Sequence, residues 1–295
     1  MKIGIPRALI YWKRPIFWEN FFENLQFEVI LSPKTNKKIV EEGVKISDPE
    51  TCFSNKVYFG HLKWLDEKCD FIFVPRLKTN KEKLEYCPKF FGLPDLAKAF
   101  LKTKILTQEF DEKKEKFEKS LLKLGKKLRK NKKEISKAFK IAKEKEKIFL
   151  KEKERETLKK LTSNSFKIVL ISHPYNLFDD YVNLRIAQRI KNLGALPIFL
   201  ENIRAENTNL DLWPKFHWEF GKEIAQKIET ILKYEISGAI QISSFACGCD
   251  AVLKEFVEKR FKKEKIPFLY LIIDEHTGEA GFQTRIEAFL DTIKI

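Results

Sequence analysis

The chain has 295 residues, 43% hydrophobic and 13% aromatic, which is enough for packed cores and excludes wholesale disorder. Its longest apolar runs, such as PFLYLII at 267–273, fall far short of a bilayer span, and the opening MKIGIPRALIYWKR is too broken for a signal peptide. The formal charge of +15 is concentrated, because residues 111–160 hold 21 Lys/Arg against 10 Asp/Glu and leave about +4 elsewhere, an ordinary balance for a globular domain. The expectation is a soluble cytoplasmic protein with no membrane partner.

The chain opens with KIGIPRAL (2–9), which reads as a strand, followed by an amphipathic helix through PIFWENFFENL. FEVILSP (27–33) and CDFIFVPRL (69–77) read as further strands, and DPETCFSNKVYFGH places Cys52 just ahead of another helix. Short apolar runs alternating with helical patterns predict βαβ units and a parallel sheet. After Pro94 the pattern changes. Residues 109–160 are charged, nearly free of Gly and Pro, and are predicted helical, with Phe117, Leu121, Leu124 and Leu128 on one stripe. Ile135, Phe139, Ala142 and Phe149 form a second stripe.

The α/β pattern then restarts. FKIVLISHPY (166–175) mirrors the opening of the chain, and NLRIAQRIKNLGA reads as a helix. LPIFL (196–200), ISGAIQISSF (236–245) and IPFLYLIIDE (266–275) read as strands, and GFQTRIEAFLDTI is the last helix. The predicted fold is α/β: two Rossmann-like parallel-sheet lobes with a helical insertion. The lobes are assigned to 1–105 and 166–295, and the lysine-rich insertion to 106–165.

In open α/β sheets function collects beyond the carboxyl ends of the strands. Three loops there carry reactive residues: RLKTNKEKLEYCPKF with Cys87, SSFACGCD with Cys247 and Cys249, and DEHTGEAG (274–281) with Glu275, His276 and Glu279. These residues and Cys52 are expected to converge on one cleft between the lobes. Five cysteines in a reducing compartment argue against a disulfide framework, leaving metal binding, redox chemistry or burial. Cys-Gly-Cys lacks the spacing and the second knuckle of a structural zinc site, and the redox C-x-x-C motif is absent. Cys87 precedes a proline, as some iron–sulfur ligands do, although turn chemistry explains Pro88 equally well. Cys69 is expected to be packing. The long cysteine spacings fit no clustered ferredoxin pattern, so any shared metal has to be assembled by the fold.

Of the four histidines, His173 and His276 end strands, His61 follows Cys52 by nine residues, and His217 reads as surface or packing. A structural role is the commoner outcome for each, and His276 is the functional favourite. The chain carries no Walker A motif, no G-x-G-x-x-G, no H-E-x-x-H and no G-x-S-x-G. Nucleic-acid binding is not expected, because the basic segment lacks aromatics placed for stacking.

Several blocks together carry a resemblance: MKIGIPRALIYW, FWENFFENLQFEVILSP, CFSNKVYFGH, IFVPR, CPKFFGLPD, SHPYNLFDDYVN, SSFACGCDA and IDEHTGEAGFQTRIEAFLD. They resemble a CoA-enzyme activase-associated family related to 2-hydroxyacyl-CoA dehydratases and double-cubane-cluster reductases, and the match covers both lobes. The resemblance implies an iron–sulfur cluster, 4Fe-4S or a bridged double cubane, with Cys52, Cys87 and Cys247 as the matching ligands. It also implies low-potential electrons from a separate ATP-dependent activase with its own iron–sulfur cluster, and a homodimer or a related second subunit. Beside the cluster, His276, Glu275 and Glu279 are candidates for proton supply. Where relatives tend to read Cys-Gly-Pro-Asp this chain reads Cys-Gly-Cys-Asp, so Cys249 is a fourth ligand, a substitute or a bystander, with the bystander reading favoured; two ligands in C-x-C would need a bent loop, which Gly248 would permit. The alternatives to an electron-transfer protein are a dehydratase-like subunit that binds acyl-CoA, or a scaffold that has lost its cluster.

Overall fold

A computed structural model describes residues 1–206 and 208–294. The chain forms two compact units: Met1–Pro49, Asn55–Phe149 and Phe216–Glu219 make the first, and Glu50–Ser54, Leu150–Lys215 and Phe220–Ile295 the second.

The N-terminal half of the chain contributes β1 (Lys2–Ile5), α1 (Ile10–Lys13), α2 (Pro15–Asn24), β2 (Glu28–Leu31), α3 (Lys37–Ile46) and α4 (Phe53–Leu65). It continues with β3 (Phe71–Phe73), β4 (Arg76–Thr79), α5 (Pro88–Phe100), β5 (Lys104–Leu106) and β6 (Glu109–Asp111). Two basic helices follow, α6 (Phe117–Lys127) and α7 (Lys132–Leu161). The remainder supplies β7 (Lys167–Ile171), α8 (Pro174–Leu177), α9 (Ile186–Asn192), β8 (Leu196–Phe199) and α10 (Glu219–Ile231). Then come β9 (Gly238–Ser244), α11 (Gly248–Lys263), β10 (Phe268–Ile273) and α12 (Glu279–Lys294).

The two main sheets have four parallel strands each, in the orders β2-β1-β3-β5 and β8-β7-β9-β10. Counted by appearance within each sheet, both read second-first-third-fourth. The expected Rossmann-like doubling is therefore present, and the likeness of KIGIPRAL to FKIVLISHPY marks the first strand of each copy. In such an order the topological switch point lies between the first and third strands. The central strands β7 and β9 are buried along their whole length; β7 reads as the apolar run IVLI, whereas β9 also buries Gln241, Ser243 and Ser244.

Two local expectations change. The run 69–77 divides into β3 and β4 around Pro75, which has no amide to continue the ladder. The Val74 and Arg76 amides on either side still bond the carbonyls of Leu106 and Gln108 at 3.0 Å. Residues 109–111 are not helical; they form β6, paired parallel with β4. Phe110 there stacks on Phe117 at 5.0 Å and meets Trp18 at 5.7 Å, so packing overrides local helical preference.

The core of the first unit is aromatic, with Phe17, Trp18, Phe21, Phe22 and Phe73 buried together. The two predicted stripes of the basic segment are present: Leu121, Leu124, Leu128, Ile135 and Ala142 are buried. Helix α7 opens on a reciprocal cap, in which Asn131 Oδ1 accepts from the Glu134 amide and Glu134 accepts from the Asn131 amide. Helices α3 and α4 touch backbone to backbone. A Cβ on Gly43 would stand 1.9 Å from the Lys56 carbonyl oxygen, and one on Gly60 1.9 Å from that of Ile39. Among the described residues, no helix is long and apolar enough to cross a membrane.

Candidate functional site

The second unit gathers its polar side chains at the carboxyl end of its sheet. Strand β7 runs into Ser172 and His173, and β9 ends on Ser243 and Ser244 before turning into α11. The turn is made by Ala246, at φ 61°, a left-handed conformation unusual for a residue with a side chain. Cys247 then occupies the N-cap of α11, and the first turn of that helix carries Asp250 inward until 1% of it is exposed.

Asp250 is the hub. Its Oδ1 lies 2.9 Å from His173 Nε2, and its Oδ2 accepts from the Ser243 hydroxyl at 3.0 Å. Tyr270 on β10 hydrogen-bonds Ser243 in turn; burial pushes its phenol up, and that hydrogen bond opposes the shift. The position at the start of a helix suits a carboxylate, because the exposed amides and the helix dipole favour negative charge. One ligand atom each of His173, Cys247 and Asp250 lies within 4.8 Å of the others. The imidazole is wedged between rings, stacked on Tyr175 at 5.1 Å and edge-on to Phe220 at 4.7 Å.

A second buried network lies on the same unit. Ser54 donates to Asn176 Oδ1 at 2.9 Å and meets Ser244 at 2.5 Å; Ser244 also donates to Asn176, whose amide reaches Ser172 at 3.0 Å. The Phe53 amide donates to the Phe245 carbonyl at 3.3 Å. The segment that carries Cys52 is thus tied to the loop that carries Cys247.

Residues 2–203 match the family described as CoA enzyme activase uncharacterised domain. The chain belongs to that family. No curated protein matches it. The family match includes Cys52, Cys87 and His173, and ends before Cys247 and Asp250.

Cys52 and Cys247 lie on the second unit and Cys87 on the first. All three are part-buried, and each immediately precedes a helix: Cys52 before α4, Cys87 as N-cap of α5 and Cys247 as N-cap of α11. Cys249 is the second residue of α11 and also part-buried. The loop turns at Ala246, and Gly248 is the first residue of the helix. Cys69 is packing, as expected. Its thiol donates to the Leu65 carbonyl at 3.6 Å and lies against Gly4, and burial pushes its pKa up.

His61 is fully buried in the first unit, with Ser32 on Nδ1 at 2.8 Å and Thr35 on Nε2 at 2.9 Å. Burial, aided by the Arg7 guanidinium, pushes its pKa down to about 3, so it is neutral there. His217 is exposed.

The loop of Glu275, His276 and Glu279 is organised by Asp274, whose Oδ1 accepts from the His276 amide at 3.0 Å and the Thr277 hydroxyl at 2.7 Å. His276 is exposed and Glu279 pairs with Arg189 at 2.6 Å. The sequence singles out His173 at a strand end but not Asp250 or Ser243. The available signal was an acid three residues after a cysteine that ends a strand loop, where a helix first turn points it back at the sheet.

Proposed function

We propose that this chain is a dehydratase-like component of a CoA-enzyme activase system that binds an iron–sulfur cluster through Cys52, Cys87 and Cys247. The cluster is of cubane type, 4Fe-4S or a bridged double cubane, and a separate ATP-dependent activase with its own iron–sulfur cluster supplies its electrons. Family membership supports the activase association. The observation that carries the ligand assignment is that each of the three cysteines stands directly ahead of a helix of 13 or 16 residues. Helix N-terminal amides and the dipole lower a thiol pKa and favour an anionic group, and soft thiolates are the donors that iron–sulfur clusters take. Three thiol donors at helix starts are of the chemical kind that such a group takes, and this supports the assignment.

When bound, the cluster would supply one-electron chemistry at low potential. The chain's own residues hold it as thiolates, and Glu275, His276 and Glu279 are assigned to proton supply. The activase and a homodimeric or related second subunit are the partners of this reading, with nucleic acid and membrane excluded from it. A second reading, favoured by the CoA enzyme named in the family description, is a subunit that binds an acyl-CoA.

Anaerobic reconstitution followed by iron and sulfide analysis tests the first reading. Cys52→Ser, Cys87→Ser and Cys247→Ser should each lose the cluster and Cys249→Ser should keep it. A folded wild-type protein that takes up no iron and sulfide ends the proposal. Saturable binding of an acyl-CoA, measured by calorimetry, is the outcome that favours the second reading.

A further inference from the structure

The hydrogen-bonded chain Tyr270–Ser243–Asp250–His173 ends beside Cys247, entirely within the second unit. We propose that the protein, when it carries no cluster, binds a single divalent transition-metal ion of the zinc type through His173, Cys247 and Asp250. The inference shares Cys247 with the functional reading but needs neither Cys52 nor Cys87.

Four observations converge. The donor set is one imidazole nitrogen, one thiol sulfur and one carboxylate oxygen, a borderline-soft combination that suits Zn²⁺, Fe²⁺ or Co²⁺ and not Mg²⁺ or Ca²⁺. The spacing is close to what one ion requires. Two donors bound at about 2.0 Å on a tetrahedral ion stand roughly 3.3 Å apart, and His173 Nε2 and Asp250 Oδ1 are already at 2.9 Å. The 4.8 Å limit on the third donor asks only for a side-chain adjustment of about 1 Å at Cys247, which is part-buried at the end of a loop.

The charges also balance. A thiolate and a carboxylate offset a dication and leave the imidazole neutral, so the buried Asp250 carboxylate would face a cation. Finally, the outer groups are in place. The Ser243 hydroxyl holds the second carboxylate oxygen of Asp250, and Tyr270 holds Ser243, an arrangement that orients a ligating carboxylate. Three protein donors leave a fourth position for water or an anion.

The probe is Co²⁺ added to the full-length, cluster-free protein, followed by optical spectroscopy and competition with Zn²⁺. The expected result is one cobalt per chain, a near-ultraviolet thiolate-to-cobalt charge-transfer band, d–d absorption of four-coordinate strength, and displacement by zinc. His173→Ala and Asp250→Ala should weaken cobalt binding at least tenfold, and Ser243→Ala, which leaves every ligand in place, by about 10–100-fold. Cys247→Ser should abolish the charge-transfer band.

His173 and Asp250 are buried, so their replacement risks the fold. The near-isosteric Ser243→Ala and Cys247→Ser variants then carry the test, with circular dichroism to confirm folding. A charge-transfer band that survives Cys247→Ser, or wild-type cobalt affinity in both Ser243→Ala and Asp250→Ala, overturns the proposal. The two readings fail separately. Cys87→Ser should lose iron and sulfide yet keep cobalt. Cluster loading without any cobalt site refutes the single-ion site alone, and a cobalt site without any cluster refutes the functional reading alone.

Discussion

The two units repeat one sheet topology but use buried histidine in opposite ways. In the first unit His61 sits between two hydroxyls, Ser32 and Thr35, and is held neutral with both ring nitrogens engaged. In the second unit His173 bonds the carboxylate of Asp250 and lies beside the thiol of Cys247. Both rings are almost completely buried, at 0% and 3% exposure, so burial does not separate them. The neighbours do. Hydroxyls close a polar site upon itself, whereas a carboxylate and a thiol bring anionic donors to a point where a cation or an acid–base step can use them.

The comparison can be broken most severely in the first unit, where rigidity comes from backbone contact. Gly60→Ala should destabilise the protein by about 3 kcal/mol or more, because the added methyl would stand 1.9 Å from the Ile39 carbonyl and the helices must part. Urea denaturation reads this directly, and a change below about 1 kcal/mol would mean that α3 and α4 separate easily. In the second unit the comparable vulnerability is polar. Asp250→Ala takes the carboxylate from two buried groups, the His173 ring and the Ser243 hydroxyl, at an expected cost of about 2–3 kcal/mol.

Acid sharpens the contrast further. The folded pKa of His61, about 3, lies below the ordinary histidine value near 6.5, so the unfolded chain binds the proton more readily. The stability that this neutral ring contributes is complete above about pH 6.5 and is lost as pH falls toward 3. Between pH 6 and pH 4 that loss should approach about 1.4 kcal/mol per pH unit. The informative quantity is the difference in slope between wild type and His61→Gln, since titrating carboxylates are common to both. Equal slopes would show that His61 is not the group responsible.

Much of the fold was legible because buried parallel strands are rich in apolar residues, and β7 and the opening β1 announce themselves that way. The likeness of the chain's two halves was legible for the same reason. Less visible were β5 and β6, three residues each, whose pairing is set by partners distant in sequence and by the stacking of Phe110 on Phe117. At the site, Cys247 stood out by residue type, whereas Asp250 looked like an ordinary acid in a helix first turn. Its meaning comes from the register of β7 against β9, which brings His173 to it across 77 residues of chain. No local pattern encodes that meeting.

The smallest expected effect concerns the loop between β9 and α11, and it tests which residue shapes it. Ala246 adopts φ 61°, where a side chain costs roughly 1–2 kcal/mol, while Gly248 occupies a helical position with open space around its Cα. Ala246→Gly should therefore stabilise the protein, by about 0.5–1 kcal/mol after the added freedom of the unfolded chain is counted. Gly248→Ala should stabilise it by a similar amount for the opposite reason, since alanine restricts the unfolded chain and meets nothing in the folded one. Only Cys247 separates the two sites, so the double variant exchanges glycine and alanine around it without changing composition. A rise in melting temperature of the Ala246→Gly single variant, on which Gly248→Ala then adds its own, would locate the strain at Ala246. A fall would mean that the left-handed turn is compensated by contacts of the Ala246 methyl, and that the loop carrying Cys247 is held by packing instead of by backbone conformation.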